Sequence, residues 1–551
     1  MLFDFIIVGA GSAGCILAHR LSEDGRYSVL LLEAGGGDRS PWLKIPVGYA
    51  RSYYDPAVNW MHWSEPEPGL NNRRVYVPRG KVLGGSGAIN AMVFVRGAAA
   101  DFDDWKAAGN PGWGADDVLP WFKRLETHAD GASRWHGGEG PIHVTPMRDG
   151  IHPVSRAFLS ACDELGYPAN PDFNGASIEG AGIYDINTRR GLRSHSGAEY
   201  LRPALKHPNL RVERQAFAEH LLFDGDGRVS GVAVRQNGQR RLFTARREVV
   251  LAAGAVQSPA LLQRSGIGDG AQLQALNITP RHHLPAVGQN LQDHLCASFY
   301  YRSRRPTLNA LFGSLTGQAL LSLRYLLTRK GPFAMSVNQA GGFFRGSETA
   351  DRANLQLYFN PLSYRIPPNP KAGLKPEPYH GFLMAISACR PASRGEIRLA
   401  SPDPAAAPLI APRYLSAERD VAEALQGMRL MRRIAAAPAL ADWLEAEVSP
   451  SPAIAEDGGL IDYFRDNSGS IYHLCGTCAM GPDPRNSVVT PDLRVHGVEG
   501  LRIADASIFP NITAGNINAP TMMVAEKASA LILSDAREQP SRQVRDRAQV
   551  S

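Results

Sequence analysis

The sequence predicts an α/β domain joined to an α+β domain built on an antiparallel sheet. Three observations lead there. The first 35 residues read as strand, glycine-rich turn, helix and strand. A second buried run, Glu248 to Leu251, again ends in a small-residue turn, Ala252-Ala253-Gly254-Ala255. Between about 300 and 465 the texture changes to frequent prolines, among them Pro361, Pro367, Pro368, Pro370 and Pro376. Alternating stretches such as Leu355-Gln356-Leu357-Tyr358-Phe359 appear there too.

The opening segment carries the most information. Phe3 to Val8 is an apolar run of strand type, and Gly9-Ala10-Gly11-Ser12-Ala13-Gly14 fits G-x-G-x-x-G. Leu17, Ala18 and Leu21 fall at helical spacing, and Tyr27 to Leu32 is a second buried strand ending in Glu33. Gly9 permits the tight turn, Gly11 lets backbone approach a pyrophosphate, and Gly14 lets the helix pack on the strand. The helix N-terminus offers free N–H groups to phosphate. Glu33 lies 33 − 14 = 19 residues beyond the last glycine, where a carboxylate can accept from ribose hydroxyls. This context points to a dinucleotide without saying which one.

Length and composition bound the rest. A chain of 551 residues exceeds one hydrophobic core, so at least two domains are expected. Lys and Arg number 59 against 53 Asp and Glu, a net charge of +6 spread along the chain. With no recognised nucleic-acid module, that excess reads as a mildly basic surface. Six cysteines in such a length do not form a disulfide framework. Cys475 and Cys478 make one C-x-x-C, without the second pair a four-cysteine zinc site needs. The first strand starts by residue 3, leaving no room for a signal peptide. Leu308 to Leu327 is the nearest approach to a membrane span, but polar residues interrupt it. A cytoplasmic protein is expected, with room for peripheral membrane contact.

Further along, a Trp- and Pro-rich excursion passes Trp42, Trp60 and Trp63, of the kind that covers a ligand or an interface. Pro78 to Gly97 holds Gly80, Gly84, Gly85 and Gly87, a sign of backbone drawn close to something flat or charged. Phe102 to Leu125 and His152 to Leu165 read as helical, Asn209 to Val212 and Gly231 to Val234 as strands, and Thr521 to Leu533 as a closing helix. The expected bounds are a dinucleotide domain in three parts (1–155, 195–300, 466–535), a substrate domain at 301–465, and a disordered tail at 536–551.

The sharpest chemical candidate is His473, in Ile471-Tyr472-His473-Leu474-Cys475-Gly476-Thr477-Cys478. A histidine among small and apolar residues can act as a base near neutral pH, and can equally be a satisfied core residue. Asn518 follows 518 − 473 = 45 residues later in Gly515-Asn516-Ile517-Asn518-Ala519-Pro520-Thr521. Asn516 and Asn518 can cap the closing helix, whose N-terminus can also stabilise negative charge. No metal-ligand spacing and no G-x-S-x-G elbow occurs.

Taken together, these motifs make the chain resemble the glucose–methanol–choline (GMC) flavoprotein oxidoreductases. They include Val287-Gly288-Gln289-Asn290-Leu291-Gln292-Asp293-His294 and Ser265-Gly266-Ile267-Gly268, in family order from Phe3 to about Leu533. Within the family the chain looks most like bacterial choline, sorbose and aliphatic-alcohol dehydrogenases. The resemblance implies a Rossmann-like FAD-binding domain with an inserted substrate domain. It implies FAD held by Gly9, Gly11, Ser12, Gly14, Glu33 and Ala34 at the adenosine end. Val82, Gly85, Asn90, Met92 and Val93 would lie at the flavin, Ala218 at the adenine, and Asp505, Ala506, Pro520 and Thr521 along the rest. His473 matches the family's catalytic histidine and Asn518 its partner. Ile89 stands where covalently flavinylated members carry histidine, so non-covalent FAD is expected. The C-x-x-C falls inside the histidine motif and is incidental.

The implied reaction is oxidation of an alcohol, with His473 taking the hydroxyl proton and Asn518 bonding the same oxygen. Gln339, Phe359, Tyr472 and the loop near Trp60 are the expected pocket walls. Aromatic and apolar lining favours an aliphatic or aryl alcohol over a free sugar. Electrons are expected to pass to a quinone or other acceptor. The alternatives are an oxidase using O2, a non-redox lyase or light-driven decarboxylase on the same scaffold, and a nicotinamide-dependent dehydrogenase.

Overall fold

A computed structural model describes residues 1–365 and 373–538. Pro367, Pro368 and Pro370, and the expected tail beyond 538, lie outside the described residues. Two seven-stranded sheets organise the rest. In the first, Leu210–Glu213, Val29–Leu32, Leu2–Val8 and Gln239–Leu251 lie side by side and parallel. Leu501–Ile503 joins Gln239–Leu251 in parallel, while Val229–Gln236 and Ala216–Phe223 complete the sheet antiparallel. The central strands are buried on both faces, which is why Ile6, Ile7, Leu30 and Leu31 read as unbroken apolar runs.

The helix after the glycine turn spans Ser12–Ser22. A Cβ on Gly14 would lie 1.8 Å from the Gly9 carbonyl oxygen, so only glycine lets this helix seat there. The closing helix runs Asn518–Glu538, starting earlier and ending later than the sequence suggests, and past the expected boundary at 535. It packs on Ser12–Ser22 through Glu526. That carboxylate is fully buried and accepts from Arg20 Nε at 3.0 Å, Arg20 Nη2 at 2.9 Å and the Tyr200 hydroxyl at 2.5 Å. The two ends of the chain thus share one core, with the remaining segments threaded between them.

The second sheet is antiparallel throughout, in the order Leu444–Ser449, Leu295–Ser303, Gly381–Ala388, Leu355–Asn360, Ala340–Phe344, Gly180–Ile183. The expected domain boundary at 300/301 falls inside its second strand, and its last strand comes from a segment assigned to neither domain. Period-two alternation gives this sheet two characters. Phe299, Tyr301, Phe359, Phe382 and Met384 pack with Phe158, Met428 and Met431 of helices Pro153–Glu164 and Glu418–Ala436. Cys296, Ser298, Tyr300, Tyr358, Asn360, Leu383 and Ala385 face a cavity on the other side.

Replacing Glu526 with Ala removes the buried carboxylate shared by Arg20, Arg124 and Tyr200, and leaves Arg20 only the half-exposed Glu23. It is expected to cost about 3–5 kcal/mol, read as a lower denaturant midpoint at unchanged slope.

Candidate active site

One cavity of about 920 Å³ runs from the glycine turn to the antiparallel sheet. Its walls at the first end include Gly9, Gly11, Ser12, Glu33, Ala34, Ala218, Asp505, Ala506 and Thr521. Gly85, Asn90, Met92 and Val93 follow, then Tyr472, His473 and Asn516. Thirteen of the sixteen expected cofactor residues therefore line it. Gly14, Val82 and Pro520 do not: Gly14 seats the first helix, Val82 is bridged to Gly36, and Pro520 is buried in the closing helix.

The first end has the form of a dinucleotide cradle. Gly85 has φ +55°, and a Cβ there would come within 2.6 Å of Gly11 Cα, so the second glycine loop lies directly on the first. Glu33 accepts from the N–H groups of Ala10 at 2.9 Å and Gly35 at 2.7 Å. Each oxygen keeps a lone pair for a ligand hydroxyl. Burial pushes its carboxyl up to about 7, with the Gly35 and Ala10 bonds opposing. Asp505 accepts from Gly254 N–H at 2.8 Å and Ser258 Oγ at 2.6 Å. Glycine-lined and closed by a buried acid, the cradle fits the adenosine diphosphate half of FAD.

The other end centres on His473. Its strand-end loop is fixed where Gly469–Ser470 pairs with Leu295–Cys296, an arrangement that also delivers His294. The Asp293 carboxylate accepts from the His473 N–H at 2.7 Å, Ser470 Oγ at 2.5 Å and the Tyr414 hydroxyl at 2.6 Å. Burial raises the Asp293 carboxyl despite these donors. Tyr472 has φ +71°, a left-handed conformation, and its carbonyl accepts from the Arg79 guanidinium. Tyr472 is the expected wall residue that lines the cavity. The loop near Trp60 lines it as well.

The hydrogen bonds around His473 define its protonation. His294 Nε2 lies 2.8 Å from the Cys389 carbonyl oxygen, so it carries hydrogen and donates. Burial holds His294 down to about 4, so near neutral pH its Nδ1 is bare. That nitrogen is 2.8 Å from His473 Nδ1, which must therefore be the donor. Burial first, then His294 and Arg79, hold His473 well below the ordinary 6.5. A neutral ring protonated on Nδ1 leaves Nε2 unprotonated, and this atom faces Asn516 Nδ2 at 3.2 Å. The Tyr358 hydroxyl donates to Asn516 Oδ1 at 3.4 Å, which orients the amide nitrogen toward His473.

Three sequence expectations change. Asn518 does not meet His473; its Oδ1 accepts from Ser12 Oγ at 2.7 Å, and Asn516, two residues earlier, holds that place. The loop turns between them, so the two side chains serve opposite ends of the cavity. Phe359 is in the right strand on the wrong face, stacked on Phe158 and Phe382. Its neighbours Tyr358 and Asn360 line the cavity instead. Gln339 is buried away from it and accepts from His152 N–H at 2.7 Å and Ser155 Oγ at 3.0 Å. Sequence reasoning gave His294, Asp293 and the wall tyrosines Tyr49, Tyr53 and Tyr364 no role. Only the Asp293-His294 pair, inside a quoted motif, offered a signal. Cys475 and Cys478 are buried free thiols, held well above the ordinary thiol range by burial.

Known proteins match the chain over most of its length. Residues 3–296 match the N-terminal and residues 391–525 the C-terminal family model described as GMC oxidoreductase. The oxygen-dependent choline dehydrogenase of Rhizobium rhizogenes is 40% identical over 98% of this chain and 96% of its own length. That of Photobacterium profundum is 39% identical over 98% and 94%. Among solved structures, pyridoxine 4-oxidase from Mesorbium loti superposes with a TM-score of 0.87 at 29% identity, covering 98% of this chain and 99% of its own. Formate oxidase superposes with 0.90 at 25%, with the same coverage.

Burial keeps His473 neutral to lower pH than a free imidazole. Its base form should persist as pH falls past 6.5, so the acid limb of kcat/KM should lie below that value. His294→Ala removes the acceptor for Nδ1–H and frees the opposite tautomer. It should lower kcat about tenfold or more, and His294→Gln, which keeps an acceptor, should restore part. An unchanged kcat in His294→Ala would contradict the tautomer assignment.

Proposed function

The chain belongs to the GMC oxidoreductase family, and on that premise we propose that it oxidises an alcohol with an uncharged body, His473 Nε2 serving as the base. It is an FAD-dependent oxidoreductase acting on CH–OH donors. Bound FAD supplies the two-electron acceptor. The rest falls to residues of the chain. His473 Nε2 takes the hydroxyl proton, because it is the nitrogen of that ring left without hydrogen. Asn516 Nδ2 donates to the same oxygen and stabilises the charge that develops there. Two groups meeting on one oxygen also fix the direction of the carbinol C–H. Asn518 buttresses the glycine turn through Ser12 and is not the proton-handling partner. The contact chain from the Cys389 carbonyl through His294 to His473 Nδ1 is the observation that carries the reading.

The relatives' names make choline the first substrate to compare. A quaternary ammonium is recognised by aromatic faces, and a buried cation calls for a carboxylate. Tyr49, Tyr53, Tyr364 and Tyr472 provide aromatic walls here. Three of the described lining residues are acids, and the one on the segment that leads to Tyr472, Asp466, is exposed, not buried against the tyrosines. Glu33 and Asp505 are at the dinucleotide end, and Asp466 is engaged with Asn71. This supports an aliphatic or aryl alcohol over choline, and over a free sugar. Electrons pass to a quinone or similar acceptor in this reading. The word "oxygen-dependent" in the relatives' names favours O2 as the second reading. Ile89, a hydrocarbon side chain on the cavity wall, supports FAD held without a covalent link.

The direct test is an anaerobic panel of alcohols with flavin reduction as the readout, repeated with O2 and with a soluble quinone. Neutral aliphatic and aryl alcohols should reduce the flavin faster than choline. Choline as the best substrate would contradict the uncharged-body reading. No reduction by any alcohol would point to a lyase or decarboxylase. His473→Ala should lower kcat by about 10²-fold or more with FAD retained. Asn516→Ala should lower kcat more than Asn518→Ala, whose main effect should be weaker FAD retention. Acid precipitation should release all the FAD, whereas FAD that stays with the protein would overturn non-covalent binding.

A further inference from the structure

The helix Leu315–Thr328 is the surface element that the chemistry leaves unexplained. Its inward side chains are Gly317, Leu321 and Tyr325, and the Tyr325 hydroxyl donates to the Gly191 carbonyl. Its outward face is also apolar. Leu315 is 86% exposed, Leu320 60%, Leu323 55%, Leu326 68% and Leu327 75%. At 100° per residue these five leucines fall within one half of the helix, with exposed Thr316 and Ala319 among them. Five of the twelve large hydrophobic side chains most exposed in the described structure sit on this one helix. Scattered exposed leucines need no explanation, but a contiguous stripe of this kind marks a surface that meets something apolar.

The charges around the stripe say what that is. Arg324 and Arg329 flank it and Lys330 follows its last turn. None of the three forms an ion pair among the described residues. No Asp or Glu occurs between Asp293 and Glu348. Arg329 lies over the Tyr325 ring, and an apolar face rimmed by cations without carboxylate partners complements lipid tails beneath anionic headgroups. A second copy of this chain fits less well, because a two-fold contact would set the same cations against one another. No described helix is long and apolar enough to cross a membrane, so the contact is interfacial.

We propose that Leu315–Thr328 is an in-plane docking helix that seats the protein on anionic phospholipid bilayers. Its position connects docking to the active cavity. Leu308, Leu311 and Phe312, just before it, pack with Tyr49, Tyr53 and Tyr364, and these tyrosines line the cavity. The proposal concerns the surface and does not depend on the substrate reading. A lipid-borne quinone or an apolar alcohol would nevertheless reach the cavity by the shorter route.

The test is co-sedimentation of the FAD-loaded full chain with vesicles of phosphatidylglycerol and phosphatidylcholine, beside vesicles of phosphatidylcholine alone. Wild type should partition onto the mixed vesicles, less so at high salt. The triple variant L320Q/L323Q/L327Q keeps good helix formers on side chains that point outward, so it should fold and keep its turnover with a soluble acceptor. Its partitioning should fall by at least about tenfold. R324Q/R329Q/K330Q should lose the preference for the anionic vesicles. Failure of wild type to partition, or equal partitioning of the leucine variant, would overturn the proposal. So would vesicle-free self-association that the leucine variant abolishes, which would assign the face to a second copy. Vesicle binding that persists whatever alcohol is oxidised keeps this outcome separate from the substrate reading.

Discussion

A hydrogen bond between two imidazoles, His294 to His473 at 2.8 Å, organises the reactive end of this protein. Two nitrogens can share one hydrogen only if one ring donates and the other accepts. The Cys389 carbonyl decides which, because it can only accept. The fixed direction then travels outward to leave Nε2 of His473 bare. Burial enforces the same result, since both rings are costly to charge where they sit. The bond also sits where the antiparallel sheet meets the segment carrying His473. Pairing of Leu295–Cys296 with Gly469–Ser470 sets both the register and the chemistry.

The opposite end depends on backbone contact. Gly85 against Gly11, and Ser12 against Asn518, join three segments far apart in sequence. A side chain larger than hydrogen at Gly85 would separate the two glycine loops, and the cradle would open. Glu526 and Arg20 lock the same two helices from behind. The cavity is thus bounded at one end by close backbone packing and at the other by a directed hydrogen-bond chain. Its middle wall is a sheet face that alternation alone supplies.

Much of this was legible in the residues. The parallel strands announce themselves as apolar runs because both their faces are buried, and the glycine spacing follows from contacts only glycine permits. The failures share a cause. Phe359 sits in an alternating strand that is buried on both faces, so sequence could find the strand but not which face meets the cavity. Asn516 and Asn518 both precede a helix, in a loop with no period to tell them apart. His294 meets His473 across 179 residues, a separation that no local pattern encodes. The outward leucines of Leu315–Thr328 fall in the run that came nearest to a membrane span, and hydropathy does not distinguish facing inward from facing outward.

The central claim is that His473 is neutral, carries its hydrogen on Nδ1 and presents a bare Nε2. Nitrogen-15 histidine NMR of the FAD-loaded enzyme tests it most directly, with His473 identified by its absence in His473→Ala. The predicted result is a non-protonated Nε2 and a protonated Nδ1 that persist as pH falls past 6.5. A protonated Nε2 at neutral pH, or an imidazolium already formed there, would contradict the account.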